Sequence, residues 1–303
     1  MILYLAGSEQ ERQDLLERLC GCNLLCSYAY NPERVLDIPH TKLGSLSFVD
    51  SGAFTSWTQG KIIDVDTYIN WINEHSDLID LYGQVDTIPG LLSGTLNRNV
   101  FYESAKKSWE NYLYMRPKMK NPDGLLYTYH AGEPINYLKN ALEFTDEHGN
   151  FIPYIALAGV VGNPRVVKYR FFEECFNVIK HSSNPNVKVH AFGLTDFSLL
   201  EQFPITSSDS TSWVMCGAMG YIVSDFGPIQ ISSKRSYSKK HYLNFSHDMK
   251  NCLLDTITKL GFTAEELMDS RDNRIVYNAL YMTDRANRLN NSKPNKLYKK
   301  KLF

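Results

Sequence analysis

Ser45-Leu46-Ser47-Phe48-Val49, followed by Asp50-Ser51-Gly52-Ala53-Phe54, is a short apolar segment that runs into a carboxylate and then into a turn of small residues. A strand ending this way belongs at the C-terminal edge of a parallel sheet, where α/β folds collect their ligands. The same arrangement recurs at Gln84-Val85-Asp86-Thr87 and at Ser207-Ser208-Asp209-Ser210. Strands that neighbour one another in one sheet would bring Asp50, Asp86 and Asp209 to a single cleft, and an enzyme is the first expectation.

Working outward, apolar strand-like segments alternate with amphipathic helical stretches, the pattern of βα units around a parallel sheet. The strands expected are Ile2 to Ala6, Ser45 to Val49, Leu78 to Val85, Leu125 to Tyr129, Ile152 to Ala158, Val187 to Phe192, Ile205 to Ser208, and one between Gly220 and Ile231. Between them the spacing predicts helices over Glu9 to Leu19, Val65 to Glu74, Phe101 to Tyr114, Ile135 to Phe144, Val166 to Lys180 and Phe197 to Gln202, with Asp64 and Asp196 as N-caps. Eight strands of this kind favour an α/β fold of the (β/α)8 TIM-barrel type over an open sheet. Beyond Ser233 the pattern changes to two longer helical stretches, Ser238 to Leu260 and Thr263 to Arg288, the second opening on a capping box of Thr263 and Glu266. We therefore expect a catalytic barrel over 1–235 and, over 236–303, C-terminal helices and a basic tail packed on or beside it.

The chain has 303 residues, 43% of them apolar, with a formal net charge of −1. That is ample material for a large core and is neutral toward a polyanionic partner. No apolar run approaches the ~18 residues of a membrane helix, and Met1 to Ala6 reads as a strand rather than a leader because no basic segment precedes it. Six cysteines without a secretory signal fit reduced thiols in a cytoplasm. Charge is nonetheless uneven: from Arg285 to Phe303 there are seven basic residues and no acid. Lys293, Lys296, Lys299, Lys300 and Lys301 fit either a solvated terminus or an arm that contacts phosphates.

Several residues fit chemical roles and bland ones alike. Asp50 suits an acid at a cleft or a helix N-cap, and Phe54 suits a face for a planar ligand or core. Asp86 suits recognition or a turn. Asp209 stands among Ser207, Ser208, Ser210, Thr211 and Ser212, whose hydroxyls are expected to hydrogen-bond an ionised carboxylate, the state a nucleophile at a sugar carbon requires. Glycine-bearing strand ends at His130-Ala131-Gly132, Ala158-Gly159-Val160-Val161-Gly162 and His190-Ala191-Phe192-Gly193 supply small residues for a pocket wall. His130 suits a substrate contact, whereas His190 reads as a structural histidine. Cys20, Cys22 and Cys26 lack a nearby fourth ligand in a usual zinc spacing, so no metal is expected. No phosphate-binding loop, dinucleotide fingerprint or H-E-x-x-H occurs, and no cofactor is implied.

Taken in order, these strand ends resemble those of the tRNA-guanine transglycosylase (queuine tRNA-ribosyltransferase) superfamily, a (β/α)8 family that swaps guanine for a 7-deazaguanine base. Val49-Asp50-Ser51-Gly52-Ala53-Phe54 is similar to its D-S-G-G-[FY] segment, Val85-Asp86 to its base-recognising Asp, and Tyr154 to Gly162 to its Gly-rich fifth strand, with Leu157-Ala158 replacing paired glycines. His190-Ala191-Phe192-Gly193-Leu194 resembles its H-x-x-G-[VI] strand, and Asp209 falls where the family keeps its nucleophile. The resemblance implies Asp209 as nucleophile and Asp50 as general acid/base, with Phe54, Asp86, His130, Ala158, Gly159 and Phe192 around the base. The sequence departs from the family at His130, where a Gln is usual, and in offering only Cys216, Cys252, His241 and His247 after Asp209 in place of a structural zinc motif. Its compactness is most like that of the phage and bacterial DNA-guanine transglycosylases, which implies DNA and a free 7-deazaguanine as partners. A tRNA substrate, a glycosidase resolved by water, and a non-catalytic barrel that binds nucleic acid remain the alternatives.

Overall fold

The computed structural model describes residues 1–19, 21–30, 33–36, 46–53, 55, 62–88 and 98–291. Eight parallel strands close into a barrel in sequence order: β1 Ile2–Ala6, β2 Asn23–Ser27, β3 Ser47–Asp50, β4 Leu81–Gly83, β5 Leu125–His130, β6 Tyr154–Ala158, β7 Lys188–Ala191 and β8 Ser207–Ser210, the last pairing back onto β1. Helices α1 Gln13–Glu17, α2 Glu33–Leu36, α3 Val65–Glu74, α4 Arg98–Met115, α5 Ile135–Glu143, α6 Arg165–Lys180 and α7 Phe197–Leu200 run between them. The chain is a (β/α)8 TIM-type barrel, as the alternation of its sequence predicts.

The membership of the barrel differs from expectation at one strand. Asn23-Leu24-Leu25-Cys26-Ser27 is β2, hydrogen-bonded between β1 and β3, although the sequence reading saw there only a cysteine cluster. A strand buried on both faces has no alternation to betray it. The segment counted as the eighth strand is instead a hairpin outside the barrel, β9 Tyr221–Ser224 and β10 Gly227–Gln230. The reading between Glu9 and Leu19 is also shortened, to a 3-10 turn at Ser8–Gln10 and then α1.

Period-two alternation sorts the strand residues into two cores. Tyr4, Ala6, Leu25, Phe48, Leu126, Tyr154 and Ala156 fill the barrel interior, while their neighbours Leu3, Leu5, Leu24, Val49, Leu125, Tyr127, Ile155 and Leu157 pack outward with the helices. Inside, Phe48 meets Tyr4 edge-on at 5.4 Å and His190 at 4.8 Å between ring centroids. Each such pair adds about 1 kcal/mol to the burial of the rings themselves. The interior is thus a plug of side chains, and ligand access is left to the rim.

Local signals set the helix starts. Asp64 accepts the Thr67 N–H at 2.8 Å, Asp196 accepts those of Ser198 and Leu199, and the Thr263–Glu266 capping box is complete. After β8 come α8 Ser212–Ala218, the hairpin, α9 His247–Lys259, α10 Ala264–Asp269 and α11 Arg271–Asn291. The first long helix expected here begins only at His247, because two 3-10 turns occupy part of 233–244. The second breaks at Ser270, whose extended backbone and side-chain oxygen, accepting the Asn273 N–H, start a new helix. Helix α11 lies against α8 so closely that a Cβ on Gly217 would come within 2.5 Å of Ile275 Cγ1. Asn278 ties it further, donating to the carbonyls of Trp213 and Tyr221 and accepting from Val223. Among the described residues no helix is long and apolar enough to cross a membrane.

Candidate active site

Closure of the barrel puts the ends of β3, β4 and β8 on one rim. Asp50 is the last residue of β3, Asp86 follows β4 by three residues, and Asp209 lies in β8 paired opposite Tyr4. Both Asp86 and Asp209 act electrostatically on Asp50.

Asp209 is held by the strand beside it. Its Oδ1 accepts the Gly193 backbone N–H at 2.7 Å and faces His190 Nε2 at 3.3 Å. Behind it runs a directional chain: the Tyr154 hydroxyl donates to Ser207 Oγ at 2.6 Å, and Ser207 Oγ meets His190 Nδ1 at 2.7 Å. Asp209 Oδ1, which already accepts from Gly193, accepts from Nε2–H as well, and in a ring with a single N–H this makes Nδ1 the acceptor of the Ser207 hydroxyl. His190 is therefore more than the structural histidine expected: fully buried, it orients the carboxylate.

The hydroxyl cage expected around Asp209 is absent among the described residues. Ser208 donates to the carbonyls of Ala191 and Leu194, Ser210 accepts from the Ser212 N–H, and Thr211 donates to Met215 Sδ. Alternation explains the miss, because 208 and 210 face away from 209, and Ser207 shares its face one layer deeper. Pinned through Oδ1, Asp209 has no partner on Oδ2 among the described residues, and that oxygen is free to meet an electrophile.

Asp50 has the opposite character. Burial pushes its carboxyl up, the Asp86 carboxylate pushes it further, and Asp209 and Glu9 add to this, while the Gly52 N–H, donating at 3.0 Å, pulls down. The balance is a pKa of about 7, which lets Asp50 give and take a proton at neutral pH. Gly52 is required where it stands: its φ is +83°, and a Cβ would sit 2.5 Å from Ser27 Oγ and from Ala29 Cβ. Gly83 likewise brings the β4 backbone beside Asp50, with its Cβ direction 3.4 Å from Asp50 Oδ1.

His130 forms a clamp that the sequence did not reveal. Its Nε2 meets Asp86 Oδ2 at 2.9 Å and its Nδ1 meets Glu133 Oε1 at 3.2 Å, while its backbone N–H donates to Glu133 Oε2 at 2.9 Å. Burial works against a charged ring, but the hydrogen bonds to Asp86 and Glu133 outweigh it and raise the pKa to about 10. His130 is an imidazolium at neutral pH, so it fixes one Asp86 oxygen and leaves Oδ1 without a partner among the described residues. Glu133 was missed; the available signal was its place three residues after a strand-end histidine, within the turn that His130 opens.

The remaining predicted positions divide. Ala158 pairs in register with His130, and Gly159, with φ +83° and its Cβ direction 3.0 Å from the Ala131 backbone N, has no space for a side chain. Phe192 lies against His190 and Phe48, with centroids at 4.5 and 5.7 Å. Phe54 and Lys293, Lys296, Lys299, Lys300 and Lys301 lie outside the described residues, as does Cys20. Cys22 and Cys26 are buried in the core. His241 uses both ring nitrogens, on Ser232 O and the Leu243 N–H. Among the described residues no group of three or more His, Cys, Asp or Glu could hold a metal ion.

No family model matches this sequence, and no curated protein matches it. The chemistry must therefore be argued from the rim itself. A further feature there is a set of buried polar atoms with no hydrogen-bond partner among the described residues, Glu9 Oε2, Ser27 Oγ, Ser51 Oγ and both amide atoms of Gln84, on the β1, β2, β3 and β4 side. Burial also raises the Glu9 pKa.

Proposed function

We propose that this protein is a guanine/7-deazaguanine transglycosylase acting on DNA through a covalent intermediate on Asp209. The observation that carries the reading is the pairing of an oriented carboxylate, Asp209, with one whose pKa is about 7, Asp50, on one rim with Asp86. A double displacement at a sugar carbon asks for these two characters together.

In the first displacement Asp209 Oδ2 bonds to C1′ of the target nucleotide while the C1′–N9 bond breaks. The electron pair passes to guanine, which takes the proton of Asp50. In the second, Asp50 removes a proton from the incoming 7-deazaguanine, whose nitrogen bonds to C1′ and expels the Asp209 carboxylate. Two inversions retain the anomeric configuration. Asp86, its Oδ2 fixed by His130, accepts hydrogen bonds through Oδ1 from the N–H donors of the base. The target base leaves the stack to reach the rim, at a cost of a few kcal/mol, ~2 to 4.

The test is incubation of the purified protein with DNA and an isotope-labelled 7-deazaguanine, followed by mass spectrometry of the released nucleosides. Label appears in a deoxynucleoside with the wild type, and Asp209→Ala lowers incorporation by more than about 1000-fold. Retained exchange in Asp209→Ala removes that residue from the nucleophile role. Free guanine released without incorporation of label marks a glycosidase, and incorporation only with tRNA marks the tRNA reaction.

A further inference from the structure

We infer that the segment 233–240, between β10 and α9, is a contact for the nucleic-acid strand flanking the target nucleotide, with Lys234, Arg235, Lys239 and Lys240 on phosphates and Tyr237 stacked on a base. The inference rests on the nucleic-acid substrate proposed above and locates where that strand is held.

Charge is the first ground. Between Asp225 and Asp248 the sequence contains no acidic residue, while four of the seven residues 234–240 are Lys or Arg. All four are exposed, and none has a carboxylate partner among the described residues. Neighbouring cations behave differently: Lys259 pairs with Asp284, and Arg285 with Asp225. The rim has the contrary sign, with Asp50, Asp86, Glu133 and Asp209 around the single His130 clamp. Such a cleft accepts an uncharged base and repels phosphates, so affinity for a nucleic-acid backbone must come from a cationic surface outside it.

Tyr237 is the second ground. At 85% exposure it leaves almost its whole ring in water in the middle of the four cations. Cations interleaved with an open aromatic face are the composition of surfaces that track a single strand.

The segment is also built to present these groups. Successive turns are closed by Arg235 N–H to Ser232 O, Ser236 N–H to Ser233 O, Ser238 N–H to Arg235 O and His241 N–H to Ser238 O. The buried His241 ring bonds Ser232 O, and the Asn244 side chain donates to Ser238 O. Its root lies within reach of the cleft, because Ile231 and Ser232 donate to Gly220 O, and Gly220 follows Asp209 through the short helix α8. That path spans no more than about 30 Å, roughly nine nucleotide steps at ~3.4 Å each.

Fluorescence anisotropy with a short labelled DNA strand across a salt series tests the inference. The wild-type protein binds with log K falling linearly in log salt, and K234A/R235A/K239A/K240A weakens binding and reduces the slope by about 3, near 0.7 per lost phosphate. Tyr237→Ala weakens binding about 5- to 100-fold at unchanged slope, and Tyr237→Phe restores it. All positions are exposed, so thermal unfolding of the variants matches the wild type. Unchanged affinity and slope in the quadruple variant, or no strand binding by the wild type, overturns the inference. Exchange measured on the same preparations separates the two proposals: exchange with normal binding in the variants removes the strand contact and leaves the chemistry, whereas segment-dependent binding without exchange removes the chemistry and leaves the contact.

Discussion

The two halves of the barrel rim are finished differently. On the β5–β8 side, His130 and Glu133 hold each other, and His190, Ser207 and Asp209 are linked in a chain of donors and acceptors that also enlists Tyr154 and Gly193. On the β1–β4 side, the side chains of Ser27, Ser51 and Gln84 and one Glu9 oxygen are buried without partners among the described residues. A network whose members are satisfied is stiff, whereas a buried polar atom without a partner costs about 1–3 kcal/mol. The contrast suits a division of labour in which one half fixes the proposed nucleophile and the other stores unmet hydrogen-bonding capacity around the proposed proton carrier, Asp50.

The sharpest way to break this contrast is at Asp50, the titrating group of the less satisfied half. In the proposed reaction Asp50, protonated below about pH 7, must hold its proton to release guanine, so the first displacement is expected to be level below about 7 and to fall tenfold per unit above it. Asp50→Asn lowers the rate about 100- to 10000-fold and removes that limb; a limb that survives at 7 assigns it to another group. Next in size is Asp86→Asn. Removing the largest of the three carboxylate influences on Asp50 moves the limb to lower pH, further than Asp209→Asn moves the Asp50 titration read by NMR. Equal displacements would mean that the three acids are not coupled as the geometry requires.

His130 extends the comparison to stability. Its pKa of about 10 exceeds the ordinary value of 6.5, so the clamp contributes fully below pH 6.5 and its contribution fades as pH rises through 10. The wild type therefore loses thermal stability relative to His130→Gln between those limits, and parallel unfolding profiles would contradict the charged clamp. The smallest effects contrast the halves directly. Gln84→Met, which removes two unpartnered atoms, raises stability by about 1–2 kcal/mol, whereas Ser207→Ala, which breaks the chain behind His190, lowers it by about 1–3 kcal/mol. Denaturant unfolding of both variants reads the signs.

Much of this was legible in the sequence, and what was hidden has physical reasons. Alternating segments, the Asp64 cap and the Thr263–Glu266 box gave barrel and helix starts, because these signals are local. Strand β2 was hidden because Leu24-Leu25-Cys26 is apolar on both faces, and the hairpin 221–230 imitates a barrel strand until its partner is known. At the site, strand ends named Asp50, Asp86, His130 and Asp209. Most of the hydrogen bonds around them come from residues distant in sequence, such as His190 and Gly193 for Asp209, and no spacing encodes those. Glu133, three residues from His130, and the Gly52 N–H, two residues from Asp50, were the contacts within sequence reach.

The most direct test is to trap the proposed covalent intermediate. Wild-type protein incubated with a guanine-containing DNA strand in the absence of an incoming base, then denatured and weighed by mass spectrometry, should carry the strand with one guanine lost, and proteolysis should place the bond on Asp209. An adduct on any other residue, or none under conditions in which exchange proceeds, contradicts the account.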